Sequence, residues 1–144
     1  MANVTTLIHE VIVAAHRLTR IAAQSTGSTT PAAVWSTLSI LSTDGPLRIG
    51  DLARAGRVSQ PSMTKLLHQL VEDELVYRIA DVDDSRAWLI DIGPKGTAAL
   101  EAWRVRLGEE LGPLFADLTP QETRTLQDAA RILTTRTKTN RKVA

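Results

Sequence analysis

The stretch L-R-I-G-D-L-A-R-A-G-R-V-S-Q-P-S-M-T-K-L-L-H-Q-L, residues 47–70, decides the fold. Its first part reads as a short helix from about Ile49 to Ala55 that buries Leu52 and Ala53, with Gly56 as the expected left-handed residue just past its end. Val58 then plugs a turn. Ser59 is a good N-cap, and Pro61 falls inside the first helical turn, where its missing N–H costs little. Met63, Leu66, Leu67, Leu70 and Val71 mark the buried side of a longer helix that ends near Asp73. A short helix, a tight turn and a longer helix opening with small polar side chains form a helix-turn-helix pattern. Ser59, Gln60, Ser62, Thr64 and Lys65 occupy the first two turns of the longer helix on the side away from its apolar stripe. The front end of that helix is therefore expected at the surface.

Downstream the period changes from helical to two. Leu75-Val76-Tyr77-Arg78-Ile79 is one extended run, and Trp88, Ile90 and Ile92 alternate with Ala87, Leu89 and Asp91 in another. Asp81-Val82-Asp83-Asp84-Ser85 joins them, which predicts a β-hairpin with a loop longer than the two-residue type. Gly93-Pro94 opens a further helix carrying Leu100, Trp103, Leu107, Leu111 and Leu114 in a narrow stripe that Pro113 should bend or stop. Thr119-Pro120-Gln121-Glu122 reads as a capping box before a last helix with Leu126, Ala129, Ala130 and Leu133. Arg131, Arg136, Lys138, Arg141 and Lys142 leave the end of the chain basic.

Upstream, residues 5–25 place Leu7, Val11, Ala14, Leu18 and Ile21 along one face of a long helix that Gly27 to Thr29 breaks. Thr30-Pro31 predicts an N-cap with proline at the first helical position, and Val34, Trp35, Leu38 and Leu41 carry a second helix to Thr43. Asp44-Gly45-Pro46 ends it as a turn. The expected fold is mainly α with a small β-hairpin wing, a winged helix-turn-helix core flanked by long helices.

Composition narrows the chemistry. The 144 residues carry 43% hydrophobic side chains but few aromatics, so aliphatics and alanine must fill the core. No run of about 18 apolar residues and no basic-then-apolar leader is present, which argues for a cytoplasmic protein without a membrane span. With no cysteine, disulfides, thiolate catalysis and Cys-ligated zinc are excluded. No glycine-rich phosphate loop, metal-spaced set or nucleophile-base pair appears, so no catalytic residue, metal or cofactor is assigned and an enzyme is not expected. His9, His16 and His68 lack a carboxylate partner in the pattern and read as surface or interface histidines.

The net charge of +1 conceals a local excess: Arg48, Arg54, Arg57 and Lys65 stand against Asp51 between residues 48 and 65. Placed in a major groove, the front of the longer helix offers short donors and acceptors to base edges, and its N–H groups to phosphates. Gln60 suits adenine, while Lys65 or Arg57 suits guanine or a phosphate. Arg86, at the far edge of the hairpin, is placed to enter a minor groove, with Asp84 or Asp81 to hold it. The acidic loop keeps a second reading open, a winged protein-interaction module without sequence-specific DNA binding.

The segment 47–70, followed by L-V-Y-R, D-D-S-R and G-P-K-G, resembles the MarR family of transcriptional regulators, and the helical flanks extend the likeness along nearly the whole chain. The resemblance implies a single MarR-like domain over 1–144, with a DNA-binding region at 31–96 and dimerisation helices at 1–28 and 97–144. It further implies a homodimer on a pseudo-palindromic DNA operator, a repressor in kind, whose affinity a small-molecule effector modulates from a cleft between the dimer helices and the winged domain; Trp35, an aromatic at helical spacing, reads as core rather than as a wall of that cleft. The DNA-contacting set it implies is Arg57, Ser59, Gln60, Pro61, Ser62, Thr64, Lys65, Asp84, Ser85 and Arg86, with the Asp84 carboxylate positioning Arg86. The chain departs from the family pattern at Glu74, where glycine is common, and at Gly93, where a threonine or serine cap is common.

Overall fold

The first helix of the computed structural model, which describes residues 3–139, is α1 (Val4–Thr26). Asn3 caps it by accepting the Thr5 N–H at 2.9 Å, and Gly27 ends it at φ 59°, a conformation glycine adopts without penalty. Ala22 and Thr26 are its buried residues, so the apolar stripe stays largely at the surface, with Leu7, Ile8, Ile12 and Val13 exposed. The second helix, α2 (Ala32–Asp44), starts one residue later than the Thr30-Pro31 pattern predicts. Pro31 itself is the cap, extended at ψ 143°, and no side chain caps this end. The loop remains extended through Pro31, so the first bonded helical N–H, that of Val34, reaches back to the Pro31 carbonyl at 3.0 Å.

A short strand β1 (Leu47–Arg48) leads directly into α3 (Ile49–Gly56), which is followed by α4 (Gln60–Glu72). Strands β2 (Val76–Ala80) and β3 (Trp88–Ile92) form the hairpin, and β1 adds to it in the antiparallel order β1-β3-β2. The third strand is absent from the sequence reading because two residues are too few to show alternation. On β3, Ile90 is fully buried, whereas Trp88, at the far end and paired with Ala80, is exposed.

The C-terminal ends of α3 and α4 both close as Schellman motifs, but neither uses glycine. After α3, the Arg57 N–H bonds to the Ala53 and Arg54 carbonyls and the Val58 N–H to that of Ala53 at 3.0 Å, with Arg57 at φ 56°. The left-handed residue is thus Arg57, and the expectation for Gly56 is corrected: Gly56 completes the helix, and the position of a Cβ there would lie 3.5 Å from Met63 Cε. After α4, the Glu74 N–H bonds to Val71 and the Leu75 N–H to Leu70, with Glu74 at φ 61°. A left-handed non-glycine residue costs about 1 kcal/mol or more. Glu74→Gly is therefore expected to raise stability by about 0.5–1 kcal/mol, read as a higher denaturant midpoint at unchanged slope; a lower midpoint would show that Glu74 contributes something its backbone does not.

The core lies where these elements converge. Leu38 and Leu41 of α2, Leu52 of α3, Met63, Leu67 and Leu70 of α4, and Ile90 of β3 are its largest fully buried side chains. The N-terminus of α5 (Pro94–Leu111) seals the core through Leu100, and Trp103 stacks on Trp35 with ring centroids 4.9 Å apart and planes 2° from parallel.

The chain divides after Glu110. The second unit comprises a 3₁₀ turn at Gly112–Phe115, where Pro113 follows the end of α5, and α6 (Pro120–Thr139). The capping box is formed: the Thr119 N–H donates to Glu122 Oε1 and the Glu122 N–H to Thr119 Oγ1, each at 3.1 Å. Arg141 and Lys142 lie outside the described residues. Among the described residues, no helix is long and apolar enough to cross a membrane.

Candidate nucleic-acid interface

The front of α4 is built by its own cap. Ser59 Oγ accepts the Ser62 N–H at 3.2 Å and donates to Ser62 Oγ at 2.8 Å, which locks the first turn. With Met63, Leu67 and Leu70 held in the core, the opposite side of α4 is turned outward. Arg57, Ser59, Gln60, Pro61, Ser62 and Lys65 are exposed and Thr64 is half-buried. Gln60, Pro61, Thr64 and Lys65 line a shallow open groove together with His68. His68 is the member that the sequence reading left out; its signal was the four-residue step from Gln60 through Thr64 to His68. The Gln60 side chain also leans toward Gly50 at the start of α3, its Oε1 3.5 Å from where a Cβ would stand.

The cluster of bases predicted around the turn is partly neutralised. Arg54 pairs with Asp51 at 3.3 Å within α3, and Arg48 pairs with Asp81. Among the described residues, Arg57 and Lys65 make no ion pair, so these two supply the cationic character beside the front of α4.

The loop between β2 and β3 is held by its aspartates. Asp84 sits at the first position of a β-turn in which its carbonyl accepts the Ala87 N–H at 3.0 Å and its Oδ1 accepts the Arg86 backbone N–H at 3.0 Å. Ser85 and Arg86 are the exposed central residues of that turn. The sequence expectation that Asp84 or Asp81 grips the Arg86 side chain is corrected: Asp84 fixes the backbone, and Asp81 is committed elsewhere. The Arg86 guanidinium has no partner among the described residues.

Asp81 is 7% exposed and uses both carboxylate oxygens. Oδ1 accepts the Asp83 N–H at 3.0 Å, while Oδ2 accepts Arg48 Nε at 3.0 Å and Nη2 at 2.6 Å. The Asp83 N–H and the Arg48 guanidinium hold the Asp81 carboxyl below the usual carboxylate range, and Asp81 raises Arg48 in return. The wing therefore presents the charges of Asp83 and Asp84 alongside Arg86, rather than three uncompensated acids.

Every residue of this surface falls between positions 57 and 86, and the sequence profile of the MarR family matches residues 31–88. The match is to that segment, under half of the chain. Outside it, the likeness is one of fold. A transcriptional regulator from Thermotoga maritima superposes with a TM-score of 0.72 at 20% identity, covering 94% of this chain and 96% of that one. The apo form of MarR from E. coli gives 0.69 at 22% identity over 92% of this chain and 97% of its own. A MepR variant from S. aureus bound to an oligodeoxyribonucleotide gives 0.61 at 22% identity, with 94% and 99% covered. No curated protein sequence matches the chain. The matched segment includes α2, the helix-turn-helix and the wing as far as Trp88.

Proposed function

We propose that the chain is a homodimeric, sequence-specific double-stranded-DNA-binding transcriptional regulator of the repressor kind, not an enzyme. The observation that carries the reading is the outward front of α4, with Gln60, Ser62 and Lys65 exposed, next in the fold to a wing whose Arg86 guanidinium has no partner among the described residues. Such a helix end suits a major groove, and an unpaired arginine on a hairpin tip suits a minor groove. Ser59, Pro61, Thr64 and Arg57 complete the major-groove set, and Asp84 and Ser85 present Arg86.

Dimerisation is supported by exposed apolar side chains on each unit: Leu7, Ile8 and Ile12 on α1, and Phe115, Leu126 and Ile132 in the second unit. A two-fold dimer predicts a pseudo-palindromic operator with half-sites about 34–36 Å apart or a multiple of that. Modulation by a small molecule is supported by two buried polar atoms without hydrogen-bond partners, Thr26 Oγ1 and Trp35 Nε1, in the same unit as the stacked Trp35 and Trp103 rings. Quenching of tryptophan emission during ligand screening tests for such an effector directly.

Selecting genomic fragments on the protein and sequencing them gives the operator, and mobility shifts at rising salt then test the docking. Arg86→Ala is expected to weaken operator binding about tenfold with the fold intact, and Gln60→Ala to relax preference at one base pair, on the scale of about 1–3 kcal/mol for a lost base contact. Unchanged binding by both variants removes this docking mode. The exposed carboxylates of Asp83 and Asp84 favour the second reading, a winged protein-interaction module; binding with no preference among fragments, or none at all, supports it.

A further inference from the structure

The Arg48–Asp81 pair joins residues 33 positions apart, and the sheet places them on opposite edges. Arg48 lies on the edge strand β1 and is also the N-cap residue that immediately precedes α3. Asp81 directly follows β2, the other edge strand. In the register, Arg48 pairs with Leu89 and Leu89 with Ile79, so the ion pair spans the width of the sheet across its central strand. The same Asp81 closes the hairpin loop: its N–H donates to the Ala87 carbonyl at 3.2 Å and its Oδ1 holds the Asp83 N–H. One carboxylate thus ties the first residue of the helix-turn-helix to the loop that carries Arg86.

We propose that Arg48 and Asp81 are positioning residues for DNA binding: the strap between them fixes the angle of the wing to the helix-turn-helix, so that Arg86 reaches the minor groove while α4 occupies the major groove. The inference rests on the DNA-binding reading above. A guanidinium that places two N–H groups on one oxygen of a largely buried carboxylate has the geometric specificity for this, where a flexible surface pair would not. The strap acts before DNA arrives, by sparing the complex the ordering of a loose hairpin.

Charge arithmetic makes the opposite forecast, which gives the test its force. Asp81→Asn removes a negative charge near phosphates and releases Arg48, and both changes should tighten binding if only electrostatics mattered. Asparagine keeps an oxygen for the Asp83 N–H, so the variant isolates the strap. The strap predicts that Asp81→Asn binds the selected operator about tenfold more weakly than wild type, and that in the Arg86→Ala background it adds no more than about a further twofold. Arg48→Met, which keeps the aliphatic stem, should match Asp81→Asn. Hydroxyl-radical protection in the minor groove should fade in both single variants while major-groove guanine protection remains, a split that general destabilisation would not produce.

Operator binding by Asp81→Asn equal to or tighter than wild type overturns the proposal, as does a loss that adds in full to that of Arg86→Ala. Should the single variants melt early, amide exchange in the free proteins decides: faster exchange at Asp83 and Ala87 with α4 unchanged supports the strap, and uniform loss of protection overturns it. A wild-type protein that binds no duplex overturns the DNA-binding reading and the strap with it, whereas wild-type binding with an indifferent Asp81→Asn sinks the strap alone.

Discussion

Gly96→Ala is expected to cost about 2–4 kcal/mol of folding stability, a large share of what a domain of this size possesses. A Cβ at Gly96 would lie 2.1 Å from the Leu75 carbonyl oxygen and 2.9 Å from Ile92 Cγ1. The oxygen is backbone, at the exit of α4, and it already accepts the Gly93 N–H at 2.9 Å. It cannot swing aside as a side chain would. The start of α5 must instead lift, and with it Leu100, which is 3% exposed and part of the core. The gain in helix propensity from glycine to alanine, up to about 1 kcal/mol, is too small to offset this. Gly108, on the same helix, meets nothing within 4 Å and supplies the control. Gly108→Ala is expected to stabilise by up to about 1 kcal/mol, so the two substitutions should move the urea midpoint in opposite directions. Midpoints that rise together would mean that the seat of α5 on Leu75 is not as close as described.

That seat shows where the sequence is legible and where it is not. The elements with a sustained period were readable: α4 follows from Ser59, Pro61 and the spacing of Met63, Leu67 and Leu70, and the capping box at Thr119 from four consecutive residues. The exposed front of α4 follows for the same reason, because a helix with one apolar side must turn its other side outward. Features that depend on one backbone passing another were not. Gly56 looked like a left-handed terminator by composition, yet the Schellman geometry falls on the next residue, Arg57, since the hydrogen bonds to Ala53 and Arg54 and not the residue type decide which position inverts. Strand β1 exists because Leu47 pairs with Ile90 far along the chain. Arg48 counted as one more base beside the helix-turn-helix, and Asp81 as one more acid in the wing; only the sheet order brings them together.

The double variant Gln60→Ala with Arg86→Ala is expected to weaken operator binding by about a hundredfold or more, toward the level of non-specific DNA. The two residues stand on different elements, α4 and the loop of the wing, and share no partner among the described residues. Their losses should therefore add, at about 1–3 kcal/mol each. The origins differ, and salt separates them. A guanidinium in a minor groove displaces condensed counterions, so Arg86→Ala should flatten the dependence of log K on log[salt] by about one unit per contact, and Gln60→Ala should leave it unchanged. Stability should stay within about 0.5 kcal/mol of wild type, because both side chains are exposed and neither makes an intramolecular side-chain hydrogen bond among the described residues. A double variant that retains operator affinity within about threefold, at an unaltered salt slope, would place the contact surface somewhere other than the front of α4 and the wing.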